Sequence, residues 1–380
     1  MRRDSFPLQS SGLAPGRSTW RVGVARTGYQ REVRLRRSDP SGPGIRRIGA
    51  GRGFFYRDDG GERITDPETL DRIEQLVLPP AWKDVWICPD PRGHLQAVGT
   101  DAAGRRQYRY HEAWRSRRDR EKFDRMLEFA AGLPRLRATL LEHLRLDDVP
   151  RERALACAVR LLDLGFFRIG SDQAAEQHET YGVATLEQRH VVLQEDELVF
   201  DYAAKGGVRR LQVIADDEVH DAVSRMKRRR TGGDRLLAYR EGRRWVPLRP
   251  EEVNDYLHEH AGDCTAKDFR TWNGTVLAAL GVAMKDEARS RTARRRAISD
   301  TVKEVAFFLG NTPAVARASY VDPRVFDRYE SGWTIGARVE ELGGPEAFVD
   351  PEGRIALEDA VRDLLHDEGE DSPALARLGD

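Results

Sequence analysis

The sequence predicts an α+β fold, in which a small β-rich N-terminal domain precedes a mainly α-helical domain that contains a small β-sheet of its own. Short apolar and aromatic runs between Gly, Pro and Asp turns occupy residues 45–100, a pattern typical of strands. From about residue 119, apolar residues recur every three or four positions, which indicates helices packed on a core. Between residues 190 and 214, alternating apolar residues interrupt the helices and predict the small sheet.

The predicted N-terminal domain covers residues 45–118. Residues 53–56 and 63–65 are predicted to form two strands around a tight turn. Asp66 is a suitable N-cap and Pro67 a suitable first residue for a short helix, which we expect to run through Leu76. Two further strands are predicted around a Pro-Asp-Pro-Arg-Gly turn, at residues 85–88 and 94–99.

The predicted helical domain covers residues 119–338. Residues 152–164 form an apolar helical pattern that ends near Gly165. The interrupting strands are predicted at residues 190–193, 198–202 and 208–214, so that Lys205 lies in the turn between the last two. Helices are then predicted from residue 217 to residue 308.

Charge is distributed unevenly along the 380 residues, although the net charge of the chain is zero. Residues 1–44 carry nine Arg against three acids, and their Ser, Gly and Pro content predicts a disordered basic leader. Residues 340–380 carry thirteen acids against three Arg, and we predict an acidic C-terminal tail over residues 339–380. The basic body indicates a surface for a polyanion, for which the tail would compete. A merely solvated terminus is the alternative.

The sequence disfavours several classes of protein and of site. No apolar run approaches the roughly 18 residues that a membrane-spanning helix needs, and no secretory signal is evident. The three cysteines lie far apart without a Cys-x-x-Cys pair, which argues against a zinc site or a disulfide framework and fits a reducing cytoplasm. No Gly-Lys-Ser/Thr follows the glycines at 49–53, and no helix has the His-Glu-x-x-His pattern, so we predict neither a metal nor a small-molecule cofactor.

Five polar residues in apolar, aromatic or turn settings form the candidate site. They are Arg168, Lys205, Arg270, Asn311 and Tyr320. A phosphodiester resists attack because its anionic oxygens repel nucleophiles, so catalysis there depends on neutralising charge and aligning groups. The planar arginine fork donates two parallel hydrogen bonds to phosphate oxygens and stays charged, which suits Arg168 and Arg270. The alternative is that each arginine pairs with a nearby acid, Asp172 or Asp268.

Each of the other three candidates could also have a purely structural role. Lys205 could protonate a departing sugar oxygen as a general acid, although a hairpin lysine is usually only solvated. Tyr320 would be the nucleophile, and its usual pKa of about 10 demands a cationic pocket that favours phenolate; the alternative is a core aromatic. Asn311 would donate a hydrogen bond to a phosphate oxygen, or else serve as a turn residue between helices.

In order, spacing and local context, these residues resemble the type IB DNA topoisomerases, in particular the small poxvirus-type enzymes and their bacterial relatives. The resemblance covers roughly residues 45–335 and is carried by the segments 104–111 and 267–272, and by the nine-residue step from Asn311 to Tyr320. Carried over, the two phosphate-binding arginines of the family fall on Arg168 and Arg270, the general acid on Lys205 and the nucleophile on Tyr320.

The resemblance implies a monomer that closes as a clamp around double-stranded DNA and relaxes supercoils through a 3′-phosphotyrosyl intermediate, without ATP or metal. It also implies a cytoplasmic protein associated with a bacterial nucleoid. In the N-terminal domain it implies DNA contacts by Arg105, Arg106, Gln107, Tyr108 and Tyr110. Gln can bond a base edge and Tyr can reach phosphate or a base; the alternative is a solvated edge strand.

Two departures from the family pattern stand out. Many members have His where Asn311 stands, and a neutral amide is expected to contribute less than a cationic imidazole. The lysine often follows Gly, whereas Lys205 follows Ala204. Two other functions stay open: a tyrosine recombinase, which uses nearly the same residues but is expected to have a helical N-terminal domain, and a catalytically silent DNA-binding protein of the same fold.

Overall fold

The computed structural model of the protein describes residues 34–51, 53–285, 288, 290–366 and 372–378. Its contacts divide the chain into two units, residues 1–118 and 119–380. The first 33 residues of the predicted basic leader, and residues 367–371, 379 and 380 of the predicted acidic tail, lie outside the described residues. Across the part of the chain that is described, no helix is long and apolar enough to cross a membrane.

Up to residue 111, the described part of the first unit contains an antiparallel sheet and one α-helix. Its elements are β1 (Ile45–Ala50), β2 (Gly53–Arg57), α1 (Pro67–Gln75), β3 (Lys83–Ile87), β4 (Leu95–Thr100) and β5 (Arg106–Tyr110). The five strands have the order β2-β1-β3-β4-β5, so β2 and β5 are the edges. Helix α1 begins as its sequence predicts, because the Asp66 carboxylate accepts a hydrogen bond of 2.9 Å from the Thr69 amide.

Alternation along the central strands gives this sheet two buried faces. Val85 and Ile87 of β3 pack with Ile73 of α1 on one face, whereas Trp86 of β3 packs with Val98 of β4 on the other. Successive residues of a strand point to opposite faces, so one short apolar run supplies both layers.

The first hairpin differs from the one predicted. β2 pairs with β1 along its whole length. Two residues of the predicted strand at 63–65 also pair with the end of β2, since Arg63 forms an isolated bridge to Arg57 and the Ile64 amide donates to the Tyr56 carbonyl at 2.9 Å. The predicted turn is present, with the Gly61 amide donating to the Asp58 carbonyl at 3.1 Å, and the chain also turns earlier, at Gly51, whose φ of +57° lies in the left-handed region. Residues 45–50 are therefore the main strand partner of β2, a role that was expected for residues 63–65.

Helices dominate the rest of the chain, and the division between the two units falls inside the first of them. The elements are α2 (Glu112–Leu144), α3 (Arg151–Gly165), α4 (Asp172–His178), β6 (Val191–Leu193), β7 (Leu198–Ala204), β8 (Val208–Ile214), α5 (Asp217–Lys227), β9 (Ala238–Glu241), β10 (Arg244–Pro247), α6 (Pro250–Ala261), α7 (Ala266–Ala283), α8 (Arg291–Leu309), α9 (Pro313–Tyr320), α10 (Pro323–Glu330), β11 (Trp333–Thr334), α11 (Gly336–Glu341), α12 (Pro351–Leu365) and β12 (Ala376–Arg377). With the sheet of the first unit, they confirm the predicted α+β class.

Helices α3 and α7 lie at the centre of the second unit. Both are buried on most sides, and their buried residues are mainly apolar but include Asp163 of α3 and Arg270 and Asn273 of α7. The small sheet has the order β6-β7-β8. The helical interpretation of residues 217–308 missed one hairpin, in which β9 pairs with β10 around Gly242.

The structure differs from the predicted acidic tail. Residue 339 lies inside α11, and α12 follows with Leu357, Ala360, Val361 and Leu364 buried. The spacing of these four residues is that of an amphipathic helix, which the surplus of acids obscured. Acidic side chains lie within this segment in ion pairs, as Glu358 does with Arg137 at 2.7 Å. Residues 339–366 are thus a packed part of the second unit and not a solvated extension.

Candidate active site around Tyr320

Tyr320 is the last residue of α9, and its backbone lies directly on α7. Helix α9 begins at Pro313, after Thr312 whose hydroxyl accepts a hydrogen bond from the Val315 amide. A Cβ atom added to Gly274 of α7 would come within 2.7 Å of the Tyr320 carbonyl oxygen. The tyrosine is therefore fixed by a close helix contact, and its side chain is 8% exposed.

Arg270 lies beside the tyrosine ring. Its guanidinium carbon is 5.0 Å from the ring centroid of Tyr320. One terminal nitrogen donates to the Leu309 carbonyl at 2.7 Å and the other donates to the Phe166 carbonyl. The side chain is 3% exposed and its Nε atom has no partner among the described residues. Backbone oxygens thus hold this cation in place.

Arg168 and Asn311 form a second pair at the same place. Arg168 donates to the Asn311 side-chain oxygen at 2.7 Å and to the Gly310 carbonyl at 3.4 Å. The amide nitrogen of Asn311 is buried and has no hydrogen-bond partner among the described residues. Because its oxygen is engaged as an acceptor, the NH₂ group is left as a donor, which is the role expected for this residue.

Three arginine side chains meet at the C-terminal end of α8. The last carbonyls of a helix lack intrahelical partners and carry a partial negative charge. Gly310 ends α8 in the left-handed conformation, with φ 59°. Arg210 of β8 donates to the Phe307 carbonyl at 2.9 Å and to the Phe308 carbonyl at 2.5 Å. The carbonyls from 307 to 310 therefore bind three guanidinium groups without any carboxylate.

The acids that were considered as partners of the arginines are engaged elsewhere. Asp172 pairs with Arg235 at 2.5 Å. Asp268 accepts hydrogen bonds from the backbone and hydroxyl of Thr265 at the start of α7. Over the described ranges, no carboxylate forms an ion pair with Arg168, Arg210 or Arg270, so their charge is available to an anionic ligand.

The electrostatics favour ionisation of the tyrosine. Burial alone would raise the pKa of the Tyr320 phenol, but the charges and hydrogen bonds of Arg270 and Arg168 outweigh burial and lower it. The pKa of Arg270 is itself lowered to about 10, because the group is buried and lies near the charge of Arg168. Burial and mutual repulsion make the charged form of Arg270 less favourable, and an anion bound beside it would offset both effects.

Lys205 is exposed at the tip of the hairpin between β7 and β8. The turn needs Gly206 and Gly207, which have φ values of +82° and +72°. A cleft of about 980 Å³ is lined by Lys205, Arg168, Arg210, Asn311 and Tyr320, among others. The structure therefore brings four of the five candidate residues to one cleft, and the fifth, Arg270, contacts the ring of Tyr320.

Two residues of the site escaped the sequence analysis. Arg210 has no motif around it, because it acts through backbone carbonyls of a distant helix. Lys122 of α2 donates to the Ser319 carbonyl at 2.6 Å, next to Tyr320, and burial is the main cause that lowers its pKa. Its only signal in the sequence is a position next to Phe123, which belongs to the apolar face of α2.

The predicted DNA contacts of the first unit lie on and beside the edge strand β5. Tyr108 and Tyr110 are exposed, with their rings stacked at 6.2 Å. Gln107 and Arg105 instead donate to the Asp101 carboxylate, each at 2.9 Å. These two residues would have to leave Asp101 in order to reach a ligand. The fifth predicted contact, Arg106, is exposed.

The described part of the chain contains no group of three or more His, Cys, Asp or Glu side chains that could hold a metal ion. The residues that meet around Tyr320 are cationic or neutral donors. Such a set binds an anion and stabilises charge that develops on it, the arrangement used for phosphoryl groups.

Comparisons with known proteins agree with this chemistry. The family of the eukaryotic DNA topoisomerase I catalytic core matches residues 111–334, and that of the bacterial DNA topoisomerase IB N-terminal domain matches residues 53–101. DNA topoisomerase 1B of Acanthamoeba polyphaga mimivirus is 29% identical over 76% of this chain and 88% of its own length. The vaccinia virus (strain Copenhagen) DNA topoisomerase 1B is 21% identical over 73% and 89%. The catalytic-core match covers more than half of the chain, which therefore belongs to the type IB DNA topoisomerases, a family of isomerases.

Proposed function

We propose that this protein relaxes supercoiled duplex DNA by cutting one strand through Tyr320, letting it rotate, and resealing it. The observation that carries the proposal is the contact of Arg270 with both Tyr320 and the end of α8. Arg168, Lys205 and Asn311 line the cleft into which Tyr320 opens. This is the set of groups that a phosphodiester needs in order to exchange one ester bond for another.

In each step of this exchange, one phosphate ester bond forms as another breaks. The phenolic oxygen of Tyr320 bonds to phosphorus as its proton leaves to water, the bond to the 5′ oxygen breaks, and Lys205 gives that oxygen a proton. Arg168, Arg270 and the Asn311 amide stabilise the charge on the nonbridging oxygens. In resealing, the 5′ hydroxyl attacks phosphorus and gives its proton back to Lys205, while the bond to Tyr320 breaks and the phenolate regains a proton from water. One phosphate ester replaces another throughout, so resealing requires no ATP.

The protein acts as a monomer that encloses duplex DNA, and it works in the cytoplasm at a bacterial nucleoid. Family membership and the match of the bacterial type IB N-terminal domain support these statements. Exposed Tyr108 and Tyr110 of β5 would contact the duplex. Relaxation that stays proportional to protein concentration at high dilution would agree with a monomer.

The test is relaxation of supercoiled plasmid by the wild type and by Tyr320→Phe. The wild type should relax the plasmid and leave a covalent DNA–protein adduct when denaturant is added, whereas Tyr320→Phe should bind DNA without doing either. Mass spectrometry of the digested adduct should locate the nucleotide on Tyr320. Tyr239→Phe removes a half-buried hydroxyl on β9 and should stay active.

Three results would contradict the proposal in different ways. Relaxation by Tyr320→Phe would show that another residue is the nucleophile. DNA binding by the wild type without any adduct would favour a silent DNA-binding protein. Recombinant plasmids among the products would favour a tyrosine recombinase.

A further inference from the structure

The chain beyond residue 334, where the matched catalytic core ends, reaches the candidate site. A short 3-10 helix, Pro345–Phe348, precedes α12. It places the Phe348 ring 6.5 Å from that of Phe166, at an interplanar angle of 21°. The carbonyl of Phe166 is one of the two acceptors that hold Arg270. A side chain far along the sequence from Tyr320 thus packs on the residue that holds Arg270.

The backbone of Phe166 needs this support. Phe166 ends α3 in the left-handed conformation, with φ 57° and ψ 21°, which is unfavourable for a residue with a side chain. Its carbonyl faces Arg270 only while that conformation persists. Two rings pack on the Phe166 ring, that of Phe348 and that of Phe308, the latter at 6.1 Å. Such packing is what maintains a strained residue in a native structure.

Arg354 of α12 fixes Phe348 in turn. Its guanidinium carbon lies 4.8 Å from the Phe348 ring centroid. One terminal nitrogen donates to the Asp163 carbonyl at 2.7 Å and to the Asn273 side-chain oxygen at 2.9 Å. Asp163 is two residues before Gly165 on α3, and Asn273 is three residues after Arg270 on α7. One side chain therefore joins α12 to both helices that position the catalytic arginine.

Carboxylates balance the charge of this connection. Asp163 and Glu358 each pair with Arg354 and with Arg137. Burial would raise the pKa of Asp163, but the charges of Arg354 and Arg137 outweigh burial and lower it well below the usual range. A fully paired network of this kind is rigid. Its rigidity passes to Phe348 through the stacking of Arg354 on the ring.

We infer that Phe348, held by Arg354, is a positioning residue for the proposed strand cleavage, because it keeps Phe166 in the conformation that holds Arg270 beside Tyr320. The inference rests on the proposed function. It assigns to the segment 345–358 a task in the reaction rather than competition for the DNA surface.

Loss of the support for Phe166 is expected to change the ionisation of the Tyr320 phenol. Among the described residues, cations act on Tyr320 from separate elements: Arg270 from α7, Arg168 from the loop after α3 and Lys122 from α2. The two arginines lower the pKa of the phenol. If Phe166 loses its support, Arg270 becomes less well placed, so the phenol pKa rises and cleavage reaches its plateau only at higher pH.

The experiment uses the full chain and single-turnover cleavage of a duplex that traps the covalent adduct, measured across pH. Phe348→Ala should cleave about tenfold more slowly at neutral pH, since small misplacements of catalytic groups cost one to two orders of magnitude. Its pH midpoint should move upward. In an Arg270→Ala background the same substitution should change the rate less than twofold. Val349→Ala is the matched control, because Val349 is 82% exposed and should leave rate and midpoint unchanged.

The outcomes separate this inference from the proposed function. A wild type that forms no adduct overturns both. An active wild type with Phe348→Ala unchanged in rate and midpoint overturns the positioning role alone, and so do equal losses in the wild-type and Arg270→Ala backgrounds. If thermal unfolding shows that Phe348→Ala does not fold, Phe348→Leu keeps most of the apolar volume without the ring and should show the same upward shift.

Discussion

Asn311 shows at the scale of one residue how a neutral side chain can serve this site. Its oxygen accepts from Arg168 and its amide nitrogen is buried without a partner among the described residues. The residue both orients a cation and offers a donor. The sequence led us to expect a smaller contribution than from His, because charge was the only property compared. The orientation that Arg168 imposes could not be predicted from residue types.

A substitution series at Asn311 separates these two roles. Asn311→Asp keeps the acceptor for Arg168 but replaces the donor with a negative charge, so cleavage should fall further than in Asn311→Ala. A hydrogen bond to a charged group is worth about 1.5–3 kcal/mol, so Asn311→Ala should slow cleavage by roughly 10- to 100-fold. Single-turnover cleavage rates measure both. Equal rates for Asp and Ala would argue that the amide does not donate to the reacting phosphate.

At the scale of elements, the sequence predicted more about which helices and strands form than about how they meet. The hairpin that carries Lys205 and the helix that Asp66 caps followed from local patterns. Arg210 and Lys122 did not, because each contacts a backbone carbonyl of a distant helix end. Any residue can supply a carbonyl, so such contacts leave no motif in the sequence.

Gly274 offers a test of the contact between α7 and α9. Replacing Gly by Ala within a helix normally stabilises it by about 1 kcal/mol. At Gly274 the new Cβ would come within 2.7 Å of the Tyr320 carbonyl oxygen, a backbone atom that moves only with α9. Gly274→Ala should therefore displace Tyr320 from its catalytic position and slow cleavage by at least about tenfold. DNA binding should persist.

Gly132→Ala is the matched control for that substitution. Gly132 lies exposed within α2, and no atom lies within 4 Å of a Cβ added there. This variant should keep full activity with equal or greater thermal stability. Wild-type cleavage rates in Gly274→Ala would mean that α9 tolerates displacement, and that the close approach does not set the position of Tyr320.

At the scale of the whole molecule, the uneven distribution of charge along the sequence did not predict which segments fold. The chain has a net charge of zero although its C-terminal region is acidic. In α12, Glu358 forms ion pairs with Arg137 of α2 and with Arg354 of the same helix. Composition cannot show which charges are internally paired, because pairing depends on the tertiary fold. The apolar spacing at residues 357–364 carried the structural information instead.

The cleft cations that form no ion pair with a described carboxylate predict how DNA binding responds to salt. Each phosphate that is neutralised by Lys or Arg releases counterions, so the logarithm of affinity should fall with the logarithm of salt by about 0.9 per contact. Tyr320→Phe allows binding to be measured without cleavage. Arg210→Ala in that background should reduce the slope by about 1 if Arg210 contacts a phosphate, and should leave it unchanged if its task is confined to the carbonyls of α8. A flat salt response of the parent variant would contradict a binding mode based on phosphate contacts, because the three guanidinium groups at the end of α8 would then not face the DNA.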